Sequence, residues 1–303
     1  MSVSPVQDVA GDREVVGVEP LFHRNGLTVS RWRCRIREVG GRGTLEHRRQ
    51  VVTFVHTGAF RARLSDGPVM VDATRTLLAS SREPFEVTKQ FGPTVTGSAI
   101  AISDDAMRAL FPQWSGRTRL LRVEGTARAA LLQHVILRQI EEGAADDAIE
   151  ELVIALAKDV FQQQRVVPIV ARRQTLEPRR DIVEMAQAIL AAHYDQPVRL
   201  DDVARAVDVS QFHLCRAFKR ITGVHMREYI TRLRLRAALT EVVDPRHLSL
   251  AQIAHEHGFS SHSHFAAAFR KEFCVTPSEV RQLTHQPAHQ LRMSLGFSGE
   301  SPN

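Results

Sequence analysis

Cysteine is scarce in this sequence, and its three copies, Cys34, Cys215 and Cys274, form no C-x-x-C pair. A disulfide framework, a structural zinc site and a thioredoxin-like centre need paired cysteines, so none is predicted. Long apolar runs are also missing. No stretch approaches the roughly 18 residues of a membrane-spanning helix, and the N-terminus has no signal-peptide pattern. We therefore predict a cytoplasmic protein without a membrane partner.

Lysine is rare as well, with only Lys89, Lys158, Lys219 and Lys271 among 40 basic residues. The net charge of +6 is concentrated rather than spread. Between residues 205 and 236, eight arginines and lysines face only two acidic residues, and this difference of six equals the excess of the whole chain. Such a window is typical of a solvated helix face or of a surface that binds nucleic acid.

The first part of the chain has a β pattern. At 303 residues the chain has room for two domains. Phe60, Ala62 and Leu64 alternate with arginines before the turn sequence Ser-Asp-Gly-Pro, which predicts a hairpin. Further short strand-like runs suggest an antiparallel sandwich or barrel over residues 1–125.

Two amphipathic helices are predicted over residues 126–165, with Thr126 as the cap of the first and Gly143 as its end. Their apolar stripes either form core within the chain or bury against a second subunit, and the second alternative predicts a homodimer. Residues 166–180 contain two prolines and little periodicity, which predicts a linker. Residues 285–303 are expected to be a flexible tail.

An internal repeat organises residues 181–284. The segments L200-D-D-V-A and L250-A-Q-I-A correspond at an offset of 50, and L214-x-x-x-F218-K-R and F265-x-x-x-F269-R-K at 51. Each copy predicts a short helix, a turn and a helix of about twelve residues, which is a helix-turn-helix unit. The segment 226–243 predicts a joining helix about 27 Å long. One turn of B-DNA is about 34 Å, so the two long helices would reach successive major grooves.

Helical spacing predicts which side chains of the long helices face outward. With Leu214 and Phe218 in the core, Phe212 and Arg216 point away from it. Arg232, Arg234 and Arg236 are two residues apart, so they cannot all share one face. The basic residues predicted to contact DNA phosphates are Lys219, Arg220, Arg232, Arg236, Arg270 and Lys271.

The second copy carries the motif I253-A-x-x-x-G258-F259-S-S-x-S-x-F265-x-x-x-F269-R-K271-x-F273-x-V-T-P277-S-x-V-R281. With it, residues 181–283 resemble the DNA-binding domain of the AraC/XylS family of transcriptional regulators. The resemblance implies seven helices in an all-α domain, and activation of transcription through RNA polymerase at promoter DNA. It also implies that base edges are read by Phe212, Cys215, Arg216, His262, Ser263, Ala266 and Ala267.

Three positions depart from the family pattern: Asp208 and Cys274 stand where glycine is usual, and Val280 replaces an aromatic residue. Asp tolerates the left-handed conformation, whereas Cys274 is expected to distort the end of its helix. The two alanines limit the second unit to apolar contacts with thymine methyl groups. Cys215 is either a redox-sensitive thiol or simply a small side chain against DNA.

The N-terminal region is similar to the cupin-like, jelly-roll sensor domains of the same family, which implies a small-molecule effector. Strand alternation suggests Trp32, His47, Phe54 and His56 as effector-binding residues. A cupin metal enzyme needs an H-x-H pair and a carboxylate. The β region has no H-x-H, so we predict no catalytic residue, metal or cofactor. The alternatives are a cupin-type enzyme fused to a DNA-binding domain, and a regulator controlled by a partner protein with a purely structural barrel.

Overall fold

The computed structural model describes residues 7–8, 14–36, 43–46, 49–64, 67–79, 85–113, 121–123, 126–162, 177–244, 246, 248–284 and 286–297. The strands are β1 Gln7–Asp8, β2 Glu14–Arg24, β3 Leu27–Ile36, β4 Gly43–Glu46, β5 Gln50–Leu64, β6 Gly67–Asp72, β7 Thr76–Ala79, β8 Phe85–Ile102 and β9 Leu121–Val123. The helices are α1 Asp104–Leu110, α2 Ala127–Glu141, α3 Asp146–Gln162, α4 Glu177–His193, α5 Leu200–Ala206, α6 Gln211–Thr222, α7 Met226–Ala237, α8 Leu239–Val243, α9 Leu250–Glu256, α10 His262–Phe273, α11 Pro277–Leu283 and α12 Ala288–Ser294.

The long strand β8 organises an antiparallel sheet. It pairs with β3, β4 and β5, and β5 pairs in turn with β6 and β7. The predicted hairpin is confirmed, because β5 and β6 run in register from Ala59 opposite Asp72 to Leu64 opposite Gly67. The order of an all-β part followed by helices is likewise as predicted. The cupin-like closure of the sheet stays a prediction.

The two faces of the sheet have different partners, because successive side chains of a strand point to opposite faces. One face carries an apolar cluster that includes Val51, Val55 and Phe60, which we call the inner cluster. On the other face, Val52 and its neighbours pack against the helix pair α2 and α3. Further along that face, Ala59 and Met70 pack against residues of α4 to α7. The helices therefore cover the outer face of the sheet.

The helix pair begins and ends where the sequence predicts. The Thr126 hydroxyl accepts a hydrogen bond from the Ala129 amide at 3.1 Å, and Gly143 takes a positive φ of 71° beyond the end of α2. Leu132 and Leu156, at the centre of the two apolar stripes, are both 0% exposed. They share one core with the sheet and with the helices after α7. The apolar stripes of α2 and α3 thus form core within the chain. The homodimer stays a prediction, and these stripes are not available as its contact surface.

The two helix-turn-helix units rest on different parts of the first domain. The first unit, α4 to α7, shares a core with Ala59 and Met70 of the sheet. The second unit, α8 to α11, shares a core with the helix pair. The predicted joining helix is divided into α7 and α8 at Ala238. Its hydrogen-bond ladder continues there, with Ala238 N to Arg234 O at 3.0 Å and Val242 N to Ala238 O at 2.9 Å.

Two predicted boundaries are wrong. Helix α4 begins at Glu177, inside the expected linker 166–180, while residues 163–176 lie outside the described ranges. The expected flexible tail contains α12, and the Leu291 side chain is fully buried against the core of the helix pair. An ion pair of 3.0 Å between Arg292 Nε and Glu151 fixes this helix to α3. Among the described residues, no helix combines the length and apolarity needed to cross a bilayer.

Candidate nucleic-acid interface and domain junction

Within the first unit, the helix-turn-helix motif itself consists of α5, a turn at residues 207–210, and α6. Asp208 occupies the left-handed region with φ 54°, as its short polar side chain permits. The Ser210 hydroxyl caps α6 by accepting from the His213 amide at 3.2 Å. Leu214 and Phe218 are fully buried, so the opposite face of α6 points outward as predicted.

The second unit repeats this construction with α9 and α10. Ser249 and Gln252 form a capping box at the start of α9, and the Ser261 hydroxyl caps α10 by accepting from the His264 amide at 3.1 Å. The predicted phenylalanine core of α10 is confirmed: Phe265 and Phe269 are 0% exposed.

The helix end at Cys274 keeps its regular geometry, contrary to the expected distortion. Cys274 adopts φ 64°, and its amide donates to the Arg270 carbonyl at 2.9 Å. Gly223 ends α6 in the same way, with φ 81° and a bond to the Lys219 carbonyl. Because a side chain in this region is strained by roughly 1 kcal/mol or more, Cys274 retains the cap at a cost in stability.

The outward face of α6 is basic and carries an exposed aromatic ring. Phe212 is 71% exposed, and the guanidinium carbon of Arg216 lies 5.4 Å from the centre of its ring. This cation–π contact orients Arg216 on the helix surface. Cys215 between them is half-buried. Arg179 of α4 joins the same surface, because it lines a cleft of about 200 Å³ together with Phe212 and Arg216.

The outward face of α10 is small and polar. His262, Ser263 and Ala267 are exposed, and Ala266 is half-buried. His264 extends this surface, with its Nδ1 3.1 Å from the Ser260 hydroxyl. All the side chains expected at base edges thus lie at or near the surface, and their contact with bases stays a prediction.

The basic residues predicted to contact phosphates divide into two groups. Lys219, Arg220, Arg270 and Lys271 are exposed at the ends of the recognition helices. Arg236 is 4% exposed; its guanidinium binds Glu272 at 3.0 Å and the Ala127 carbonyl at 2.9 Å. The phosphate contact predicted for Arg236 is therefore wrong, because its guanidinium is buried between the start of α2 and the end of α10.

Arg232 is partly exposed beside the first domain, and its predicted phosphate contact stays a prediction. Its Nη2 donates to Glu228 at 3.0 Å, and its Nε lies 3.6 Å from Glu272. It lines a cavity together with Thr74 and Arg75 from the turn between β6 and β7. The basic residues between 205 and 236 thus lie on two surfaces, one that faces outward and one that faces the sheet.

Arg234 has a role that the sequence did not assign. Its guanidinium donates to the carbonyls of Tyr194 at 2.7 Å and Gln196 at 3.0 Å in the first unit, and to that of Gly258 at 2.7 Å in the second. Gly258 has φ 72°, and an added Cβ would lie 2.8 Å from the Arg234 guanidinium carbon. The glycine of the second turn therefore permits the contact that holds the two units together.

A second set of contacts joins the first unit to the sheet. The Tyr229 hydroxyl donates to Asp72, a fully buried carboxylate that also accepts from the Thr74 hydroxyl at 2.6 Å. Burial, followed by the charge of Asp72, raises the pKa of Tyr229 well above its usual value, so the phenol keeps its proton. On the same side, Arg61 of β5 binds Asp181 of α4 at 2.8 Å.

The suggested effector residues lie on different faces of the sheet. Trp32 belongs to the inner cluster, where its ring contacts that of Phe60 edge-on at 6.4 Å. Phe54 is buried on the outer face against the helix pair, and His56 stacks on His134 of α2 at 4.7 Å. His47 lies outside the described residues. Trp32 is therefore separated by the sheet from Phe54 and His56, and the three do not form one pocket.

Neither histidine of that stack carries charge at neutral pH. Burial, with a smaller contribution from His134, lowers the pKa of His56 to about 3. Burial also lowers the pKa of His134 to about 4, against the hydrogen bond between its Nδ1 and the Ala130 carbonyl at 2.9 Å. Within the described ranges, no three histidine, cysteine, aspartate or glutamate side chains are grouped so that they could hold a metal ion.

Comparison with known proteins places this double unit in a class of helix-turn-helix domains. A family model described as "Helix-turn-helix domain" matches residues 203–283. The chain is 31% identical over 169 residues to the HTH-type transcriptional regulator ArgR of Pseudomonas aeruginosa. That alignment covers 56% of this chain and 50% of ArgR. It is 27% identical over 157 residues to the HTH-type transcriptional activator RhaS of Escherichia coli. That alignment covers 50% of this chain and 56% of RhaS.

A solved structure of a transcriptional regulator with an AraC-type DNA-binding domain, from Chromobacterium violaceum, is 33% identical and has a TM-score of 0.33. The match covers 36% of this chain and 96% of that one. The chain spans about half the length of the curated relatives it matches. The C-terminal region of the chain therefore carries a helix-turn-helix domain of the AraC type.

Proposed function

We propose that this chain is a sequence-specific DNA-binding transcriptional regulator that reads double-stranded promoter DNA with α6 and α10. The observation that carries the proposal is the pair of capped helices whose outward faces are exposed while their apolar faces are buried. Basic residues at the ends of these helices supply phosphate contacts, which position the domain without reading sequence.

The two units differ in what they offer to DNA. Arg216, oriented by Phe212, has the donor geometry for a guanine edge. Ala266 and Ala267 offer only apolar contact with thymine methyl groups. We therefore propose that the first unit supplies most of the direct readout, and that the second adds phosphate contacts and a weaker preference.

We propose further that the sheet domain senses a small-molecule effector and that the regulator activates transcription through RNA polymerase. Support for sensing comes from the shared cores, since both units pack against the domain that would bind the effector. Support for activation is the likeness to RhaS, whose name describes that protein as an activator. A homodimer contact would lie outside the buried helix stripes.

The test is enrichment of fragmented genomic DNA on the purified full chain, followed by sequencing. The proposal expects a motif with two short blocks about one helical turn, or 10 to 10.5 base pairs, apart. The Arg216→Ala variant should lose the information in one block and keep the other. Recovered DNA with the composition of the input, and no motif, would overturn the proposal.

A further inference from the structure

A cavity of about 490 Å³ lies where the sheet domain meets both helix-turn-helix units. The turn between β6 and β7 contributes Thr74 and Arg75, α7 contributes Arg232 and Arg236, and α10 contributes Glu272. This volume is within the usual range for small-molecule sites, roughly 300 to 1,000 Å³. A molecule in this cavity would touch the first domain and both DNA-binding units at once.

The lining of the cavity has more positive than negative charge. Three guanidinium groups face a single carboxylate, that of Glu272, which two of them share: Arg236 at 3.0 Å and Arg232 at 3.6 Å. The Nε atoms of Arg232 and Arg236 are buried and make no hydrogen bond to a described residue. A buried donor without a hydrogen bond is costly, so an anion that accepts from these Nε atoms would lower the free energy of the site.

Two further carboxylates, those of Asp72 and Glu228, lie close to these guanidinium groups but outside the lining. Asp72 lies beyond Tyr229, and its oxygens already accept from the Tyr229 and Thr74 hydroxyls. Glu228 binds Nη2 of Arg232, at 3.0 Å, and is not part of the lining. Arg75 donates through Nη1 to the Met70 carbonyl at 2.9 Å, which is a neutral partner.

We propose that this cavity binds a small polar molecule through a carboxylate or phosphate group held between Arg75 of the sheet domain and Arg232 of α7. Both ligand groups offer planar or tetrahedral oxygen pairs that suit the donors of a guanidinium. The polar lining selects a hydrophilic metabolite rather than a lipid chain. The inference deepens the proposed function, since it places the effector at the junction instead of inside the sheet.

The location gives the ligand a direct way to influence the DNA-binding units. Arg236 and Glu272 join α7 to α10 across the cavity, and Thr222 at its edge belongs to the last turn of α6. A ligand that binds this arrangement of the units more tightly than another arrangement shifts the equilibrium towards it. The shift in free energy equals the difference between the two binding free energies. Effector binding and the relative position of the two units are therefore linked.

The test is ligand-induced thermal stabilisation of the full chain, with inorganic phosphate, citrate and glucose 6-phosphate as probes. Glucose and potassium chloride at matched ionic strength are the controls. At least one oxyanion should raise the unfolding temperature saturably, and the three probes together distinguish carboxylate from phosphate preference. Stabilisation that follows ionic strength alone, or none, overturns the proposal.

Substitutions locate the site. Arg75→Gln and Arg232→Gln should each weaken binding of the active probe roughly ten- to hundredfold, the effect of one lost charge-assisted contact. Arg227→Gln is the matched control, because Arg227 is exposed on the same helix outside the cavity lining. Glu272→Gln removes the competing carboxylate and should tighten binding severalfold. Equal affinity in all four variants would overturn the proposal.

The outcomes separate this inference from the proposed function. Enrichment of genomic DNA without probes tests the DNA-binding function by itself. A chain that recovers a DNA motif but is stabilised by no oxyanion refutes the cavity proposal alone. A chain that binds the oxyanion through Arg75 and Arg232 but recovers no motif refutes the regulator proposal alone.

Discussion

The stacked pair of His56 and His134 should make the protein sensitive to mild acid. Both rings lie between the sheet and α2, with their Nε2 atoms buried and unpaired among the described residues. Burial lowers the pKa of His56 to about 3 and that of His134 to about 4, from the ordinary 6.5. As the pH falls through 6.5, the unfolded chain gains protons at these positions that the folded chain does not. Stability is therefore lost on acidification.

The magnitude follows from this difference. At pH 5 both folded rings are still neutral, whereas both unfolded rings are almost fully protonated. Relative to pH 7, each histidine then costs about 2 kcal/mol of unfolding free energy, or about 4 kcal/mol for the pair. This is a large fraction of a typical stability of roughly 5 to 15 kcal/mol.

Urea denaturation at pH 7 and pH 5, followed by circular dichroism, measures the effect. The double variant His56→Gln with His134→Gln should lose about 4 kcal/mol less between the two pH values than the unchanged chain. His213→Gln, at an exposed position of α6, is the control and should leave the difference as it is. An identical pH dependence in the double variant and the unchanged chain would refute the reasoning.

Three further predictions concern packing and helix geometry. Leu132→Glu places a charge in a fully buried position and should unfold the chain, at a cost above the roughly 2 to 5 kcal/mol of a leucine-to-alanine change. If light scattering finds a folded monomer instead, this stripe is a subunit contact. Cys274→Gly should stabilise by about 1 kcal/mol and Gly223→Cys should destabilise by a similar amount, because both positions are left-handed; changes of the same sign in chemical unfolding would contradict this. Arg234→Ala removes the bond to Gly258 that joins the units, together with the two bonds that anchor Arg234 in the first unit, and should weaken binding to a two-block operator while leaving single-block affinity unchanged in gel shifts; equal losses on both DNAs would point to a general DNA contact.

Features that depend on local periodicity could be predicted from the sequence. The repeat, the two long helices of the units and the buried faces of Leu214 and Phe269 all follow from helical spacing. The caps Thr126 and Gly143 follow from the preferences of helix ends. Helix α1 carried such a signal too, since Ser103 precedes two aspartates and caps the helix at 3.2 Å, but the surrounding strand pattern obscured it.

Features that depend on what covers a surface could not be predicted. Helical spacing indicates that the side chains of Arg216 and Arg236 point away from the axis of their own helix. It does not indicate that Arg236 contacts α2 and Glu272. The same limit applies to the stripe of α2, for which core and subunit contact have the same pattern. It applies as well to α12. This helix has few apolar residues, so its sequence resembles an exposed tail, and only the fold shows that these residues pack against α3.

The most direct test of the central claim compares Arg216→Ala and Arg220→Ala on the motif DNA and on random DNA across a range of salt concentrations. Arg216 is placed on the outward face of α6 beside Phe212, so its loss should reduce discrimination by about 1 to 3 kcal/mol, mostly on the motif. Arg220, exposed near the helix end, should weaken both DNAs alike and flatten the salt dependence by roughly one unit. If Arg216→Ala weakens both DNAs equally, α6 does not read sequence, and the account of the first unit is contradicted.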